Sequence, residues 1–480
     1  MTVKWGEITV NEIVSAIGGR QISGPSERHI QGLSTDSRKM VPGHIFLALK
    51  GERYDGHDFL DEAVHAGAAG LIIESAKPIK RGLYENNLAV VAVPSTLDAL
   101  GDLALWWRRQ WGGKIIAITG SNGKTTTKEM AASILSLKAR TMKSPGNFNN
   151  LIGLPLSILL IREEYTLAVL EMGMNRTGEI ARLTRIAEPQ IGVVTNVASA
   201  HLEGLGDLEG VAAAKGELLR EMSPQSTAIL NGDSELTKRC ASGFQGPIIT
   251  FGLNPSNRVR GEHIRGSKNS SQAFTLTIDD DRIPVRINLL GTHNVLNALA
   301  GAAIAFSLSL PRDLIARGLE ELKPLKGRFQ VIEVNGDIRL IDDTYNSNPS
   351  SLNAALETIK ELKDKEHSLV VCLGEMLELG EEATKYHFNA GQRIAGMGTR
   401  YLVVMGEHGH HVIEGAREAG MNIRQTSLAT THTEMLEAIK ANVREGDIVF
   451  LKGSRKVALD KVVEGMKRYF HVPEGEKNAL

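Results

Sequence analysis

The stretch I-I-A-I-T-G-S-N-G-K-T-T-T-K, from Ile115 to Lys128, decides the fold of the central part of this chain. It begins with four apolar residues typical of a buried strand, and Gly120 to Gly123 are small and turn-prone. From Thr126 onward apolar residues recur at helical spacing. A strand, a glycine loop and a helix in this order are typical of a phosphate-binding loop, because loop amides and a helix N-terminus both favour anions.

Lys124 and Thr125 carry the chemistry of this loop. The lysine would reach the terminal phosphates of a nucleotide, and the threonine hydroxyl would bind Mg²⁺. The usual pattern has a glycine where Ile118 stands, so the match depends on its strand and helix context. A glycine-rich turn with an exposed lysine is the alternative. The predicted nucleotide-binding loop comprises Gly120, Ser121, Asn122, Gly123, Lys124, Thr125 and Thr126.

Length and composition restrict the class of protein. The 480 residues exceed what one hydrophobic core accommodates, so several domains are expected. A net charge of −1 gives no basic excess for a nucleic-acid partner, and no apolar run approaches the roughly 18 residues of a membrane span. The N-terminus lacks the apolar core of a secretion signal, and Cys240 and Cys372 are isolated. We therefore expect a cytoplasmic protein without disulfides.

Alternating strands and helices predict an α/β chain of three domains. We expect a small α/β domain over residues 1–94, a central parallel-sheet P-loop ATPase domain over 95–325 and a Rossmann-like domain over 326–480. The last has no G-x-G-x-x-G opening, so nicotinamide binding is not indicated. Predicted elements include the helices Val10–Ile17, Thr96–Trp111 and Val457–Arg468 and the strand Ile191–Val197.

Polar residues that follow predicted strands are candidates for the site, because ligands of α/β folds bind at the carboxyl ends of parallel strands. Glu171 ends an apolar run, His201 follows the strand at Ile191, and Lys215 lies on the next helix. Singly, a helix-capping acid, a loop histidine and a solvated lysine explain them more simply. Together, behind a phosphate loop, they indicate a metal site for Mg²⁺, which prefers oxygen ligands.

Two further polar groups are less specific. Asn294 and Asn297 share a helix face, and paired amides can bind a purine edge; a helix N-cap and a surface asparagine explain them equally well. The other group offers hydroxyl, carboxylate and guanidinium groups to a polar ligand, although a solvated turn is the simpler explanation. It consists of Ser34, Asp36, Ser37 and Arg38.

Several motifs, in order along the whole chain, resemble those of the Mur ligases of peptidoglycan synthesis. They are T-G-S-N-G-K-T-T-T-K from Thr119, E-M-G from Glu171, T-N-V from Thr195, H-L-E-G-L-G-D-L-E-G-V-A-A-A-K-G-E from His201, G-T-H-N-V-L-N-A-L-A from Gly291 and G-R-F from Gly327. Four more stretches resemble the family member that adds D-alanyl-D-alanine. They are S-P-G-N-F-N-N-L-I-G-L-P-L-S from Ser144, D-D-T-Y-N-S-N-P-S-S-L from Asp342, L-G-E-M-L-E-L-G-E from Leu373 and K-G-S-R from Lys452. The family more often has Asp where Glu375 stands, and the D-N-P-R-type motif of the diamino-acid-adding member is absent.

The resemblance implies an ATP-dependent amide ligase. The terminal carboxylate of UDP-N-acetylmuramoyl-tripeptide would attack the γ-phosphate of ATP, and D-Ala-D-Ala would displace phosphate from the acyl phosphate. The first domain would hold the UDP end, the second ATP and the third the amine. The resemblance also implies Mg²⁺ and a Lys215 carbamylated by CO₂, and we expect a monomer.

The resemblance assigns roles to single residues. Lys124 and Arg328 would neutralise charge on the transferring phosphoryl group, and the metal ligands would be Thr125, Glu171, His201 and Lys215. The expected ATP contacts beyond the loop are Asn294, Asn297, Arg328 and Asp343. The expected substrate contacts are Ser34, Asp36, Ser37 and Arg38, then Asn147, Asn149 and Asn150 for the muramyl peptide, and Asn346, Ser454 and Arg455 for the amine side.

Three alternatives stay open from the sequence. The first is the diamino-acid-adding Mur ligase, which differs in the amine that triggers phosphate release. The second is a P-loop kinase or NTPase that passes phosphate to a hydroxyl or to water. The third is a non-catalytic nucleotide-binding scaffold, which would have no need of a metal constellation.

Overall fold

The computed structural model describes residues 2–77, 87–200, 202–266, 270–363 and 367–471. Its strands form three sheets, of six, nine and six strands, which follow one another along the chain. This architecture confirms the predicted fold class. The first sheet ends with Val93 and the third begins with Gln330, while the domain boundaries after residues 94 and 325 stay predictions. Among the described residues, no helix combines the length and hydropathy needed to span a bilayer.

The first sheet is mixed. Its elements are β1 (Thr2–Thr9), α1 (Val10–Ile17), β2 (Arg20–Ser23), β3 (His29–Ser34), β4 (His44–Leu47), α2 (Leu60–His65), β5 (Gly70–Glu74) and β6 (Ala89–Val93). The strand order is β1-β3-β4-β5-β6-β2, with four parallel central strands and an antiparallel strand at each edge. Helix α1 has the predicted bounds because Thr9 and Glu12 form a capping box at its start and Gly18, at φ 58°, ends it.

The second sheet is the largest and is mostly parallel. Its first elements are α3 (Thr96–Trp111), β7 (Lys114–Thr119), α4 (Lys124–Ser136), β8 (Thr141–Lys143), α5 (Gly153–Leu159), β9 (Leu167–Glu171), α6 (Glu179–Ala187), β10 (Ile191–Val194), α7 (Leu202–Leu205) and α8 (Leu208–Glu221). Its remaining elements are β11 (Thr227–Asn231), α9 (Glu235–Cys240), β12 (Ile248–Gly252), β13 (Val259–Gly266), β14 (Gln272–Ile278), β15 (Asp281–Ile287), α10 (Thr292–Ser307) and α11 (Arg312–Glu320). The order is β15-β14-β13-β12-β11-β10-β7-β9-β8, and β14 alone runs opposite to the others, antiparallel to both β13 and β15.

The third sheet is Rossmann-like, with five parallel strands. Its elements are β16 (Gln330–Val334), β17 (Ile338–Asp343), α12 (Pro349–Leu362), β18 (Leu369–Gly374), α13 (Ala383–Gly396), β19 (Thr399–Met405), α14 (Gly409–Glu418), β20 (Thr426–Ala429), α15 (His432–Asn442), β21 (Ile448–Lys452) and α16 (Asp460–Phe470). The order is β16-β17-β21-β18-β19-β20, and β16 is antiparallel to β17.

The place of β7 in the second sheet positions the site. This strand pairs with β9 on one side and β10 on the other, so their carboxyl ends at Thr119, Glu171 and Val194 lie side by side. The strands that follow β7 in the chain are thus added on opposite sides of it. Such a change of direction leaves a crevice at the carboxyl edge of the sheet, where α/β folds bind their ligands.

Two predicted elements differ from the structure at one end. The strand predicted over Ile191–Val197 ends at Val194, because Thr195 and Asn196 turn toward the phosphate loop. The helix predicted from Val457 begins at Asp460, because Ala458 adopts a left-handed conformation at φ 55°. The strand Ile115 to Ile118 lies within β7 and is buried, as predicted.

Candidate active site

The phosphate loop requires glycine at two positions. Gly123 caps α4 at φ 80°, and a Cβ there would lie 2.2 Å from Oδ1 of Asn297. A Cβ on Gly120, at φ 151°, would lie 1.9 Å from Oγ1 of Thr195. Both contacts are far shorter than van der Waals separation, so these glycines let neighbouring strands and helices pack directly on the loop. Lys124 then folds back, and its Nζ donates to the carbonyl oxygen of Gly120 at 2.7 Å.

The loop after β10 supports the phosphate loop from behind. The backbone N–H of Asn122 donates to Oδ1 of Asn196 at 2.8 Å, and Oγ1 of Thr195 donates to the carbonyl oxygen of Asn122 at 2.7 Å. Oγ of Ser121 donates to the carbonyl oxygen of Ala198 at 2.9 Å. The sequence-based prediction missed Thr195 and Asn196 as site residues, although the T-N-V motif directly follows a strand and was the available signal.

A group of oxygen atoms surrounds the end of β9. The carboxylate of Glu171 accepts a hydrogen bond from Oγ1 of Thr125 at 2.9 Å and another from Nδ2 of Asn149 at 2.9 Å. Glu171 is buried. A hydroxyl beside a buried carboxylate matches the hard oxygen donors that Mg²⁺ prefers, and the ion commonly completes its shell with water. Thr125 and Glu171 therefore fit a divalent cation.

Arg328 reaches this group from the start of the third sheet. Its Nη2 donates to Oγ1 of Thr125 at 3.0 Å, and its guanidinium carbon lies 3.9 Å from the centroid of the Tyr345 ring. A second bond crosses between the same parts of the chain, from Nδ2 of Asn348 to Oδ1 of Asn122 at 2.8 Å. The structure thus brings Arg328 against the phosphate loop, as the resemblance implied.

Burial and neighbouring charges shift the pKa of Lys124. Burial lowers this pKa most; the carboxylates of Glu171 and Glu378 oppose that shift, and the guanidinium of Arg328 adds to it. A cation in such a place gains most from an incoming polyanion, because phosphate oxygens would replace the missing solvent.

Lys215 lies on α8 and is buried, and it does not line the cleft described below. Burial lowers its pKa well below the usual value, and the charge of Lys124 lowers it further. In the described ranges, no residue is hydrogen-bonded to its amine. His201, which was predicted beside it, lies outside the described residues.

Asn294 and Asn297 form a buried pair on α10. Nδ2 of Asn297 donates to Oδ1 of Asn294 at 3.1 Å, and Nδ2 of Asn294 donates to the carbonyl oxygen of Leu290 at 2.8 Å. Gly291 is the N-cap of α10, and both asparagines are buried. The explanation as an N-cap plus a surface asparagine is therefore wrong, and both amides line the cleft.

The remaining cleft residues come mainly from the third sheet. Asp343 receives a hydrogen bond from Nζ of Lys452 at 2.5 Å, and Lys452 also donates to the carbonyl oxygen of Asn346 at 3.0 Å. Oγ of Ser454 accepts from the backbone N–H of Leu377 at 3.0 Å. Lys452 and Tyr345 were missed from the sequence as site residues, although both lie within motifs that had been recognised.

These groups line one cleft of about 820 Å³. The predicted residues that line it are Ser121, Asn122, Gly123, Lys124, Thr125, Thr126, Asn147, Asn149, Asn150, Glu171, Asn294, Asn297, Arg328, Asp343, Asn346, Ser454 and Arg455. The side chain of Asn150 also serves the fold, because its Oδ1 accepts from the backbone N–H of Gly153 at 2.8 Å and holds the turn that leads into α5. Gly120 contributes its carbonyl oxygen to Lys124 and is not a lining residue.

The cluster predicted in the first sheet does not line this cleft. Oγ of Ser34 donates to the carbonyl oxygen of Asp36 at 3.0 Å, and Arg38 pairs with the Asp36 carboxylate at 2.9 Å and lowers the pKa of that group. Ser37 donates to Glu62, and the side chain of Arg38 is 83% exposed. These contacts are those of a solvated turn, and a substrate role for the cluster stays a prediction.

Three domain families cover most of the chain. The Mur ligase family catalytic domain matches residues 29–108, the Mur ligase middle domain matches 118–305, and the Mur ligase glutamate ligase domain matches 327–455. The UDP-N-acetylmuramoyl-tripeptide–D-alanyl-D-alanine ligase of Bacillus subtilis is 34% identical over 459 residues, covering 95% of this chain and 98% of that protein. The chain belongs to the Mur ligase family.

Solved structures of Mur ligases share the whole fold. MurF from Acinetobacter baumannii superposes with a TM-score of 0.86 at 31% identity, covering 97% of this chain and 100% of that one. MurF ligase from Thermotoga maritima, solved in complex with ADP, superposes with a TM-score of 0.80 at 28% identity and covers 91% of this chain and 97% of that one. The α/β fold of three sheets is thus that of a Mur ligase, an ATP-dependent ligase.

Proposed function

We propose that this Mur ligase joins D-alanyl-D-alanine to UDP-N-acetylmuramoyl-tripeptide with ATP as the energy source. The observation that carries the proposal is the meeting of Arg328 with Thr125 of the phosphate loop, 3.0 Å apart, in a cleft that the third sheet also lines. The third sheet, which would bind the amine, lines the same cleft as the phosphate loop. This arrangement suits a ligase better than a hydrolase, because a ligase needs the amine beside the nucleotide. Relatives named for this reaction align over nearly the full chain.

Different residues of the cleft would serve different parts of acyl-phosphate formation. Lys124 and Arg328 place two cations at the phosphate loop, where negative charge builds up as the γ-phosphoryl group transfers. Asn294 and Asn297, which line the cleft, would bind the adenine, and Asp343, held by Lys452, would bind the ribose. Tyr345 stacks on Arg328 and keeps its guanidinium over Thr125.

The Mg²⁺ that this chemistry needs would be held by Thr125 and Glu171, with His201 and a carbamylated Lys215 as further ligands. When bound, the ion would neutralise phosphate charge and orient the reacting oxygens. Lys215 fits the carbamate because it is buried and its lowered pKa favours the neutral amine, the form that reacts with CO₂. The adduct would turn an amine that has no hydrogen-bond partner among the described residues into an oxygen donor.

The other domains complete the proposal. The first sheet, over residues 1–94, would hold the UDP end, and Asn147 and Asn149 would contact the muramyl peptide at the cleft. Asn346, Ser454 and Arg455 would contact the amine substrate. Since one chain supplies every group named here, we infer a monomer.

Phosphate release with a panel of amines tests this function. The enzyme, ATP and UDP-N-acetylmuramoyl-tripeptide should release phosphate quickly only when D-Ala-D-Ala is added. Release stimulated by a diamino acid with the corresponding dipeptide substrate would instead indicate the diamino-acid-adding ligase. Release that no amine changes would indicate an NTPase and would contradict the proposal.

A further inference from the structure

Glu378 is held in an unusual backbone conformation at the edge of the cleft. It lies four residues after β18 and has φ 64°, a region that glycine and asparagine adopt readily and glutamate rarely does. Such strain persists only where the surroundings impose it, and it gathers at functional sites. Glu378 lines the same cleft as Lys124 and Arg455.

The surroundings that fix Glu378 come from two parts of the molecule. The preceding N–H, of Leu377, donates to Oγ of Ser454 at 3.0 Å, and the N–H of Ser454 donates to the carbonyl oxygen of Glu375 at 3.0 Å. On the other side, the carbonyl oxygen of Glu378 faces the N–H of Glu203 on α7 at 3.5 Å. The segment is therefore tied to the K-G-S-R motif of the third sheet and rests against the central domain.

Glu378 is a charged residue of the cleft wall. It lies within electrostatic reach of the Lys124 amine, whose pKa it raises. Arg455 and Lys456, which are cationic, line the same cleft next to Ser454. Glu378, Arg455 and Lys456 therefore stand in the two segments that the bond from Leu377 to Ser454 joins, so a carboxylate and two cations lie on neighbouring parts of the cleft wall. The cleft also contains other charged groups, namely Glu171, Glu179, Asp343, Lys124, Arg328 and Lys452.

This charge pattern matches a short peptide zwitterion. The α-amino group of a peptide has a pKa of about 8, so at neutral pH most of it is an ammonium. An ammonium and a carboxylate form strong charge-assisted hydrogen bonds, and Arg or Lys binds the far carboxylate in the same way. We propose that Glu378 binds the ammonium group of the incoming D-Ala-D-Ala and directs its nitrogen at the acyl phosphate, an inference that rests on the proposed function.

The step that follows balances without any further reactant. The ammonium gives up a proton to solvent water, its nitrogen lone pair forms the C–N bond to the acyl carbon, and the C–O bond to phosphate breaks. Inorganic phosphate leaves with the electron pair of that bond, and the second nitrogen proton passes from the tetrahedral intermediate to the departing phosphate. Glu378 supplies binding and orientation of the amine in this second half-reaction.

Replacing the amine by hydroxylamine separates the two half-reactions. Hydroxylamine is largely uncharged at neutral pH and traps an acyl phosphate as a hydroxamate, so it needs no carboxylate to bind an ammonium. Glu378→Gln should raise KM for D-Ala-D-Ala by about tenfold to a hundredfold while its hydroxamate formation stays within about twofold of the unaltered enzyme. Glu381→Gln, three residues away and exposed, is the matched control and should change neither rate.

Two results would overturn this role. One is a Glu378→Gln enzyme with unchanged KM for the dipeptide. The other is equal loss of ligation and hydroxamate formation, which would place Glu378 in acyl-phosphate formation or in folding. Failure of the proposed function would show separately, as an unaltered enzyme that forms hydroxamate but never ligates D-Ala-D-Ala.

Discussion

Two lysines of the central domain are buried to the same degree and have opposite surroundings. Lys128 on α4 is 1% exposed; its Nζ donates to the carbonyl oxygens of Ser144 at 2.9 Å and Gly146 at 3.2 Å, and lies 3.3 Å from the Glu129 carboxylate. Lys215 on α8 is 2% exposed, and within the described part of the chain its amine has no hydrogen-bond partner.

The difference shows that partners, and not burial alone, decide what a buried lysine does. The partners of Lys128 fix the loop that leads to Asn149, and Asn149 in turn donates to Glu171. Burial penalises the charged form of Lys215, the described residues offer its amine no hydrogen bond, and its pKa is therefore lowered. We therefore assign Lys128 a structural role and Lys215 a chemical one.

The largest effect is expected from Lys124, the cation that lowers the pKa of Lys215. Lys124→Ala should reduce acyl-phosphate formation by about a thousandfold, because a donor to the transferring phosphoryl group is lost. UDP-substrate binding should stay nearly intact, since the first sheet is untouched. Hydroxamate trapping and calorimetry with the UDP-substrate measure the two properties, and the exposed Lys138→Ala is the control. Near-normal turnover would refute the assignment of the loop.

Substitutions of Lys215 test the chemical role that the comparison gives to this lysine. Lys215→Ala should lose about a hundredfold or more in activity and keep ATP binding, and a small carboxylic acid at high concentration should partly restore the rate. Lys215→Arg should stay inactive, because arginine remains charged and forms no carbamate. A fully active Lys215→Arg enzyme would refute the carbamate. An ion pair between Lys215 and Glu171, the simpler alternative, is absent from the described residues.

Removing the side chain should lower the unfolding free energy more at Lys128 than at Lys215, whereas activity should depend more on Lys215. Lys128→Met leaves the carbonyl oxygens of Ser144 and Gly146 without their donor and removes one of the two lysines that pair with Glu129, the other being Lys143. It should cost about 2 to 4 kcal/mol of unfolding free energy. Lys215→Met in CO₂-free buffer should be neutral or stabilising by about 1 to 2 kcal/mol, because an uncompensated buried amine is removed. Urea transitions of both variants measure this. Equal losses of unfolding free energy in the two variants would contradict the difference between the two lysines.

The smallest effect concerns His293, whose imidazole lines the cleft. Burial, with the charge of Lys452, lowers its pKa from 6.5 to about 4. Between these values the unfolded chain binds more protons than the folded one, so stability falls as pH drops from 6.5 toward 4. His293→Phe should flatten this part of the curve by on the order of 1 to 3 kcal/mol, measured by urea unfolding against pH. An unchanged pH profile would contradict the shift.

The local features of the fold could be predicted from the sequence. Helix α3 has the predicted bounds, because Ser95 caps its start through Asp98 and Gly112 ends it in a left-handed conformation. The phosphate loop and Glu171 at the end of β9 were likewise visible, since each depends on a few consecutive residues. Such signals arise from neighbours in the chain.

Contacts between distant segments could not be predicted in this way. Asn122 meets Asn348 across 226 positions, and Arg328 meets Thr125 across 203. Nor does the sequence show that Lys128 has hydrogen-bond partners while Lys215 has none among the residues that the structure describes, because both stand in small-residue helical patterns. The family resemblance identified Lys215 as important, and only the packing shows that burial lowers the pKa of its amine.

The most direct test of the whole account follows an oxygen atom. UDP-N-acetylmuramoyl-tripeptide labelled with heavy oxygen in its terminal carboxylate is incubated with enzyme, ATP and D-Ala-D-Ala, and the phosphate released is analysed by mass spectrometry. If the carboxylate attacks ATP and the dipeptide amine displaces the phosphate, each phosphate carries one labelled oxygen and the product gains the dipeptide. Unlabelled phosphate would mean that water attacks ATP, and it would contradict the assignment of this chain as a ligase that acts through an acyl phosphate.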